Sequence, residues 1–265
     1  MLRRVFGNQR GEVIPGATLR TDAWWLLPAT VVVVLGAFIV YSTWAAFQNA
    51  HYFAAPYLSP FYSPCLSKSC LHSTFGYGLP DVSVPIIGIV SPAFLILWGP
   101  GLFRLTCYYY RKAYYRSFWL APPACGVRDA HGSYSGESRF PAILQNLHRY
   151  AWYVAVIFIV LLTWDAILAF RFPNGFGIGV GTIIMWINVL FLAGYTFSCH
   201  SCRHLCGGSV NVFSKSPARY GLWRFITRLN ERHPLYAWLS LFSVGLTDLY
   251  IRLVSMGVIR DLRIL

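Results

Sequence analysis

Residues 24–47 read WWLLPATVVVVLGAFIVYSTWAAF, with no charged side chain in the run. A helix rising 1.5 Å per residue needs about 20 apolar residues to cross a hydrocarbon core of about 30 Å, and this run supplies them. It starts only after some two dozen residues and is too long for a signal-peptide core, so a spanning helix is expected and no cleavable leader. Working outward, four more apolar runs follow at residues 82–103, 151–172, 178–198 and 236–258. The expected fold is all-α: a polytopic transmembrane helix bundle of five spans, one membrane domain over residues 1–265, in the plasma membrane. Pro173-Asn174-Gly175 predicts a tight turn between the third and fourth spans. Pro85 and Pro92 fall inside the second, where each removes a backbone hydrogen bond.

Composition agrees with a membrane class. Hydrophobic residues make up 56% of the chain and charged residues 12%, about half the share found in soluble domains. The formal net charge is +13. The basic residues sit mainly in three hydrophilic stretches between the apolar runs, which argues against nucleic acid and for topology charge, anionic lipid or an acidic partner. The stretches hold Arg3, Arg4, Arg10 and Arg20; Arg104, Arg111, Lys112, Arg116, Arg128, Arg139 and Arg149; and Arg203, Lys215, Arg219, Arg224, Arg228 and Arg232. By the positive-inside rule the N-terminus is expected to be cytoplasmic and, after five crossings, the C-terminus outside.

Asp165, Asn188, Asp248 and Arg252 fall in apolar surroundings, where each is costly unless paired or wet. Asp248 and Arg252 are four residues apart and share a helix face, which predicts an internal ion pair; a quinone or proton route through Asp165 or Asp248 is the alternative. No histidine lies inside any predicted span, and haem b in a bundle needs histidines at membrane depth. His51, His148 and His200 stand near span ends.

The cysteines divide by side. Cys65 and Cys70 lie together in the expected outer loop, where a disulfide suits an oxidising exterior. Cys107, Cys125, Cys199, Cys202 and Cys206 fall on the other side with His200 and His204. Thiolate with imidazole suits zinc or an iron–sulfur centre of mixed ligation. On one continuous helix the pairs Cys199/Cys202 and His200/His204 point about 100° apart. A tetrahedral site therefore requires the helix to end within the motif or Cys107 and Cys125 to join it.

The blocks Cys107-Tyr-Tyr-Tyr-Arg-Lys-Ala-Tyr-Tyr-Arg116 and Cys199-His-Ser-Cys-Arg-His204 resemble the membrane-anchor subunit of actinobacterial, mycobacterial-type succinate dehydrogenase. Pro122-Pro-Ala-Cys125, Gln145-Asn-Leu-His-Arg149, Asn211-Val-Phe-Ser-Lys215 and Leu246-Thr-Asp-Leu-Tyr250 match as well. The resemblance implies a cytochrome b-like, SdhC-type anchor that carries electrons from an iron–sulfur subunit to menaquinone, with the succinate site, FAD and further iron–sulfur clusters on partner subunits. It also implies a Rieske-type [2Fe-2S] cluster, for which Cys107, Cys125, Cys199, His200, Cys202 and His204 are the candidate ligands; haem b or zinc are the alternatives. Tyr108, Tyr109, Tyr114, Trp119 and His148 are the candidates for a quinone pocket, which needs an aromatic slot and one or two polar donors. Expected partners are the flavoprotein and iron–sulfur subunits, menaquinone and membrane lipids including anionic lipid, and a higher oligomer is compatible with them. No residue of this chain is expected to be catalytic. A transporter, favoured by the charges within the spans, and a zinc-stabilised scaffold are the competing functions.

Overall fold

The structure is a computed structural model that describes residues 16–68, 70, 80–81, 83–84, 88–130, 138–140, 142–208 and 210–265. Arg3, Arg4 and Arg10 of the first basic stretch, and Pro85 of the second apolar run, lie outside them.

Eight α-helices are described, in chain order α1 Leu26–Gln48, α2 Phe94–Thr106, α3 Tyr108–Phe118, α4 His148–Leu168, α5 Val180–Phe197, α6 His200–Gly207, α7 Pro217–Glu231 and α8 His233–Ser255. Four are long and apolar enough to cross a membrane: α1, α4 with its leading 3-10 turn from Ala142, α5 and α8. The fold is thus an all-α membrane bundle with four spans, and the expected count of five is corrected. The run at residues 82–103 does not make a continuous helix. Ser83–Val84 pairs antiparallel with Gly88–Ile89, and helix begins only at Phe94, beyond Pro92. Proline has no N–H to donate and its ring biases the residue before it away from helical geometry, so the apolar run is divided. The 13 residues that remain in α2 reach about 20 Å. The parity of five crossings, which had set the two termini on opposite sides, falls with the fifth span.

The chain forms two compact units: the described residues up to Val40 with Arg104–Leu147, and Tyr41–Phe103 with His148–Leu265. In the first, residues 16–20 are tied to residues 125–128. Thr18 Oγ1 donates to the Gly126 carbonyl at 2.7 Å, Arg128 N donates to the Ala17 carbonyl at 3.1 Å, and Arg20 Nη1 donates to the Cys125 carbonyl at 2.7 Å. Arg20 also pairs with Asp22.

The second unit is built on α4, α5 and α8. Leu162, Ala166 and Ala169 meet Met185 and Val189 of α5 and Ile251 of α8 in one buried cluster. Small side chains allow the close approach that lipid-embedded helices need, since no hydrophobic force favours one apolar neighbour over another there. A Cβ on Gly194 would stand 2.7 Å from the Tyr236 ring, so α5 and α8 are in contact through that glycine. The expected turn after α4 is a hairpin in which Phe172 faces Gly175, whose φ of +111° suits glycine.

In the Pro- and Ser-rich segment after α1, read as an outer loop, residues 57–65 are buried. Tyr57, Ser59, Tyr62, Ser63 and Cys65 are each at most 1% exposed. Tyr57 belongs to a short hairpin in which Phe53 faces Leu58. Cys65 and Cys70 form the expected disulfide, with Cα atoms 6.1 Å apart. A buried irregular backbone is tolerated at a bundle's end only where protein groups satisfy it, and here its hydroxyls satisfy carboxylates in return.

Candidate functional site

Both units carry residues singled out in the sequence. In the first, α3 begins at Cys107, in extended geometry as its N-cap, and holds the tyrosine-rich block. Tyr110 and Tyr114 turn inward on one face while Tyr108 is 47% exposed. Arg104 Nη1 donates to Tyr110 Oη at 3.0 Å, and the Arg111 guanidinium stacks 4.3 Å from the Tyr108 ring centre. Tyr114 Oη is shared between the Gln145 side-chain oxygen at 2.6 Å and the Leu105 carbonyl at 2.7 Å. Its ring meets Trp119 edge to face at 5.7 Å, and Trp119 itself is half exposed. Burial pushes both buried phenols up to about 12, opposed for Tyr110 by the Arg104 charge and for Tyr114 by the Gln145 bond. They are neutral hydrogen-bonding groups at any physiological pH.

In the second unit, His148 is the first residue of α4 and is 2% exposed. Its Nε2 meets Cys199 Sγ at 3.0 Å, and its ring stacks on Phe103 with centres 5.0 Å apart. Phe103 also touches Tyr195, which stacks on His233 at 5.0 Å. His233 Nδ1 meets Ser198 Oγ at 2.7 Å. Two imidazoles, a thiol and two aromatic rings therefore form one buried network where α5 ends and α4 and α8 begin. His233 was not singled out in the sequence; its signal is that His-Pro stands at the head of an apolar run, where an imidazole can face inward. Helices α4 and α8 both start at a histidine, which places His148 and His233 at helix ends and not midway along the spans.

The Cys-His block does not assemble as a metal centre. Among the described residues no three His, Cys, Asp or Glu side chains are grouped so as to hold a metal ion. This overturns the expected Rieske-type [2Fe-2S] cluster and its haem b and zinc alternatives. The cause is helical phase. Cys199 caps α6 and accepts from Ser201 N, and the helix then runs unbroken through His200–Gly207. Cys199 and Cys202 face inward at 1% and 5% exposure, while His200 and His204 are exposed, so thiols and imidazoles of this block point to different surroundings. His204 Nδ1 lies 3.1 Å from Arg149 Nη2. Cys125 is exposed and Cys107 buried. Burial, then the neighbouring Cys206 thiol, pushes Cys202 up to about 12, so the free thiol is protonated at neutral pH.

Asp248 and Arg252 form the internal ion pair that their spacing predicts. Arg252 Nε donates to Asp248 Oδ2 at 2.7 Å. Its two terminal nitrogens donate to the Ala50 and Ala45 carbonyls at 2.8 and 2.9 Å. Asp248 also accepts from Tyr41 Oη at 2.6 Å and from Ser59 Oγ. Asp165 accepts from Ser63 Oγ, and Asn188 Oδ1 accepts from Ser243 Oγ at 3.0 Å.

Four apolar spans, an internal Asp248–Arg252 ion pair and a buried His–Cys–aromatic network define a multi-pass membrane subunit. The chain matches the family model described as "Actinobacterial succinate dehydrogenase subunit SdhC" over residues 26–257, and it belongs to that family. It is similar to a chain of the solved "Mycobacterium smegmatis Sdh1 complex in the apo form", with 49% identity, 98% of each chain covered and a TM-score of 0.88. Among curated proteins no match is found. The chain is therefore a non-catalytic membrane-anchor and electron-transfer subunit of succinate dehydrogenase, linked to quinone reduction, and a multi-pass protein of the plasma membrane.

Proposed function

We propose that this chain docks the flavoprotein and iron–sulfur subunits of succinate dehydrogenase and passes their electrons to menaquinone at an aromatic slot in the first unit. The slot consists of Tyr108, Tyr109, Tyr114 and Trp119. The observation that carries it is Tyr114: a buried phenol, held in place by Gln145 and the Leu105 carbonyl, with the half-exposed Trp119 ring beside it. A quinone ring needs an apolar face to lie on and a donor near an oxygen that gains charge on reduction. Trp119 offers the face and the Arg111 guanidinium a donor, while Tyr114, bonded to Gln145 and the Leu105 carbonyl, holds the wall of the slot in place. His148 stands in the other unit, with Nε2 on Cys199 and its face on Phe103, and is left out of the slot. The similarity to a chain of the Mycobacterium smegmatis Sdh1 complex supports the docking role.

The test uses the assembled complex carrying Tyr114→Phe or Trp119→Ala. Reduction of a menaquinone analogue is expected to fall about tenfold in kcat/KM, since Trp119→Ala removes the apolar face and Tyr114→Phe gives up the buried bonds that hold the slot, each worth roughly 0.5–1.5 kcal/mol. Succinate oxidation with a soluble dye that draws electrons from the partner subunits is expected to be unchanged. Unaltered quinone kinetics in both variants would place the site elsewhere.

A further inference from the structure

We propose that α7 lies along the membrane interface and that its Arg224 and Arg228 bind the phosphates of anionic phospholipid. The sequence of α7, PARYGLWRFITRLNE, reads as neither core nor span. It holds three arginines, Arg219, Arg224 and Arg228, and one glutamate, and Arg232 follows its last residue. At about 100° per residue it divides into three faces. One is packed: Ile226 is 4% exposed, Asn230 Nδ2 donates to the Ser198 carbonyl at 2.7 Å, and Thr227 Oγ1 accepts from Arg203 Nε at 3.1 Å. These contacts fix the rotation of α7 about its own axis, so the other two faces are defined and outward.

The second face is apolar and uncovered. Ala218, Leu222, Phe225 and Leu229 fall within about 60° of one another, and Leu222 and Phe225 are 49% and 58% exposed. The third face is the basic ridge of Arg224 and Arg228, both exposed, which flanks that apolar stripe. An apolar stripe bordered by arginines is the pattern of a helix lying in the headgroup layer, with its rings at the acyl boundary and its guanidinium groups at the phosphates. Arginine rather than lysine suits a phosphate, because its planar fork donates two parallel hydrogen bonds.

Continuity with the bilayer decides for lipid over a protein partner. Arg232 ends α7 and also precedes the first residue of α8, so no loop separates the interfacial helix from a membrane span. Leu235, in the first turn of that span, is 51% exposed and begins the span's outward apolar surface. The stripe on α7 thus stands at the depth where that surface begins.

The experiment places the complete complex in nanodiscs doped with phosphatidylglycerol or phosphatidylcholine carrying a photoreactive headgroup. Crosslinks within residues 217–231 are expected with the anionic probe, and about tenfold fewer with the neutral one or after Arg224→Gln with Arg228→Gln, because the two guanidinium charges supply the attraction to anionic headgroups. The corresponding pair of lysine substitutions is expected to keep most of the signal. Equal labelling by both probes in the unaltered complex overturns the proposal, and that reading does not depend on any variant folding. Loss of partner subunits from the glutamine variant with its labelling unchanged also overturns it, and assigns the ridge to a protein.

Discussion

The two ends of the second unit bury polar groups in opposite ways. At one end, Asp248 and Arg252 carry full charges, and the end of α1 and the segment after it wrap them: the Ala45 and Ala50 carbonyls for the guanidinium, Tyr41 and Ser59 for the carboxylate, with Ser63 for Asp165. At the other end, His148, Cys199, Ser198 and His233 form a network of groups that can all be neutral, padded by Phe103 and Tyr195. The first arrangement is costly to break because removing one partner leaves a bare charge out of water. The second can lose a member for the cost of a hydrogen bond and some packing. The first end is therefore a lock on the fold. The second has room for chemistry, because its groups are not consumed in neutralising one another.

The largest effect is expected from Asp248→Ala. It leaves Arg252 buried without its counter-charge and is expected to cost about 3–5 kcal/mol, read as a large drop in the melting temperature of the detergent-solubilised complex or as failure to assemble. Replacing both residues, Asp248→Leu with Arg252→Met, should recover most of that loss. If the single change is tolerated as well as the double, the pair is no lock.

His148→Phe comes next. The ring still stacks on Phe103 but gives up Cys199, so about 1–2 kcal/mol is expected, clearly less than for Asp248→Ala under the same melting assay. An equal cost at the two sites would erase the distinction between charged and neutral ends.

The smallest effect is kinetic. Cys202 is pushed up to about 12, first by burial, so the unreactive thiol persists from neutral pH to well above pH 9. Cys125 is exposed. Iodoacetamide at pH 8 is expected to modify Cys125 at least about tenfold faster than Cys202, with Cys202 reactivity climbing only toward strongly alkaline pH. Mass spectrometry of partially labelled complex gives both rates, and comparable rates would show the neutral end to be open to water.

Membrane class, four of the five expected spans and the 248/252 ion pair were legible from hydropathy and spacing, because a lipid solvent imposes length and charge rules that each segment obeys locally. Hydropathy failed at residues 82–103, where an apolar run interrupted by proline reads the same in a window average as an uninterrupted one. The metal centre failed for a related reason. Cysteines and histidines close in sequence look like one site, and the phase of α6 separates them.

Local residue pattern sets the solvent this chain lives in, its helix-forming runs and the family that its Tyr-rich and Cys-His blocks mark. Only the tertiary structure decided that Ser59 and Ser63 turn inward to serve Asp248 and Asp165, that His148 meets Cys199, and that α7 turns an apolar stripe and two arginines outward. Those pairings join residues between 51 and 189 positions apart, and no local pattern encodes them. They follow from buried polar groups having to find partners wherever the packed helices bring one within reach.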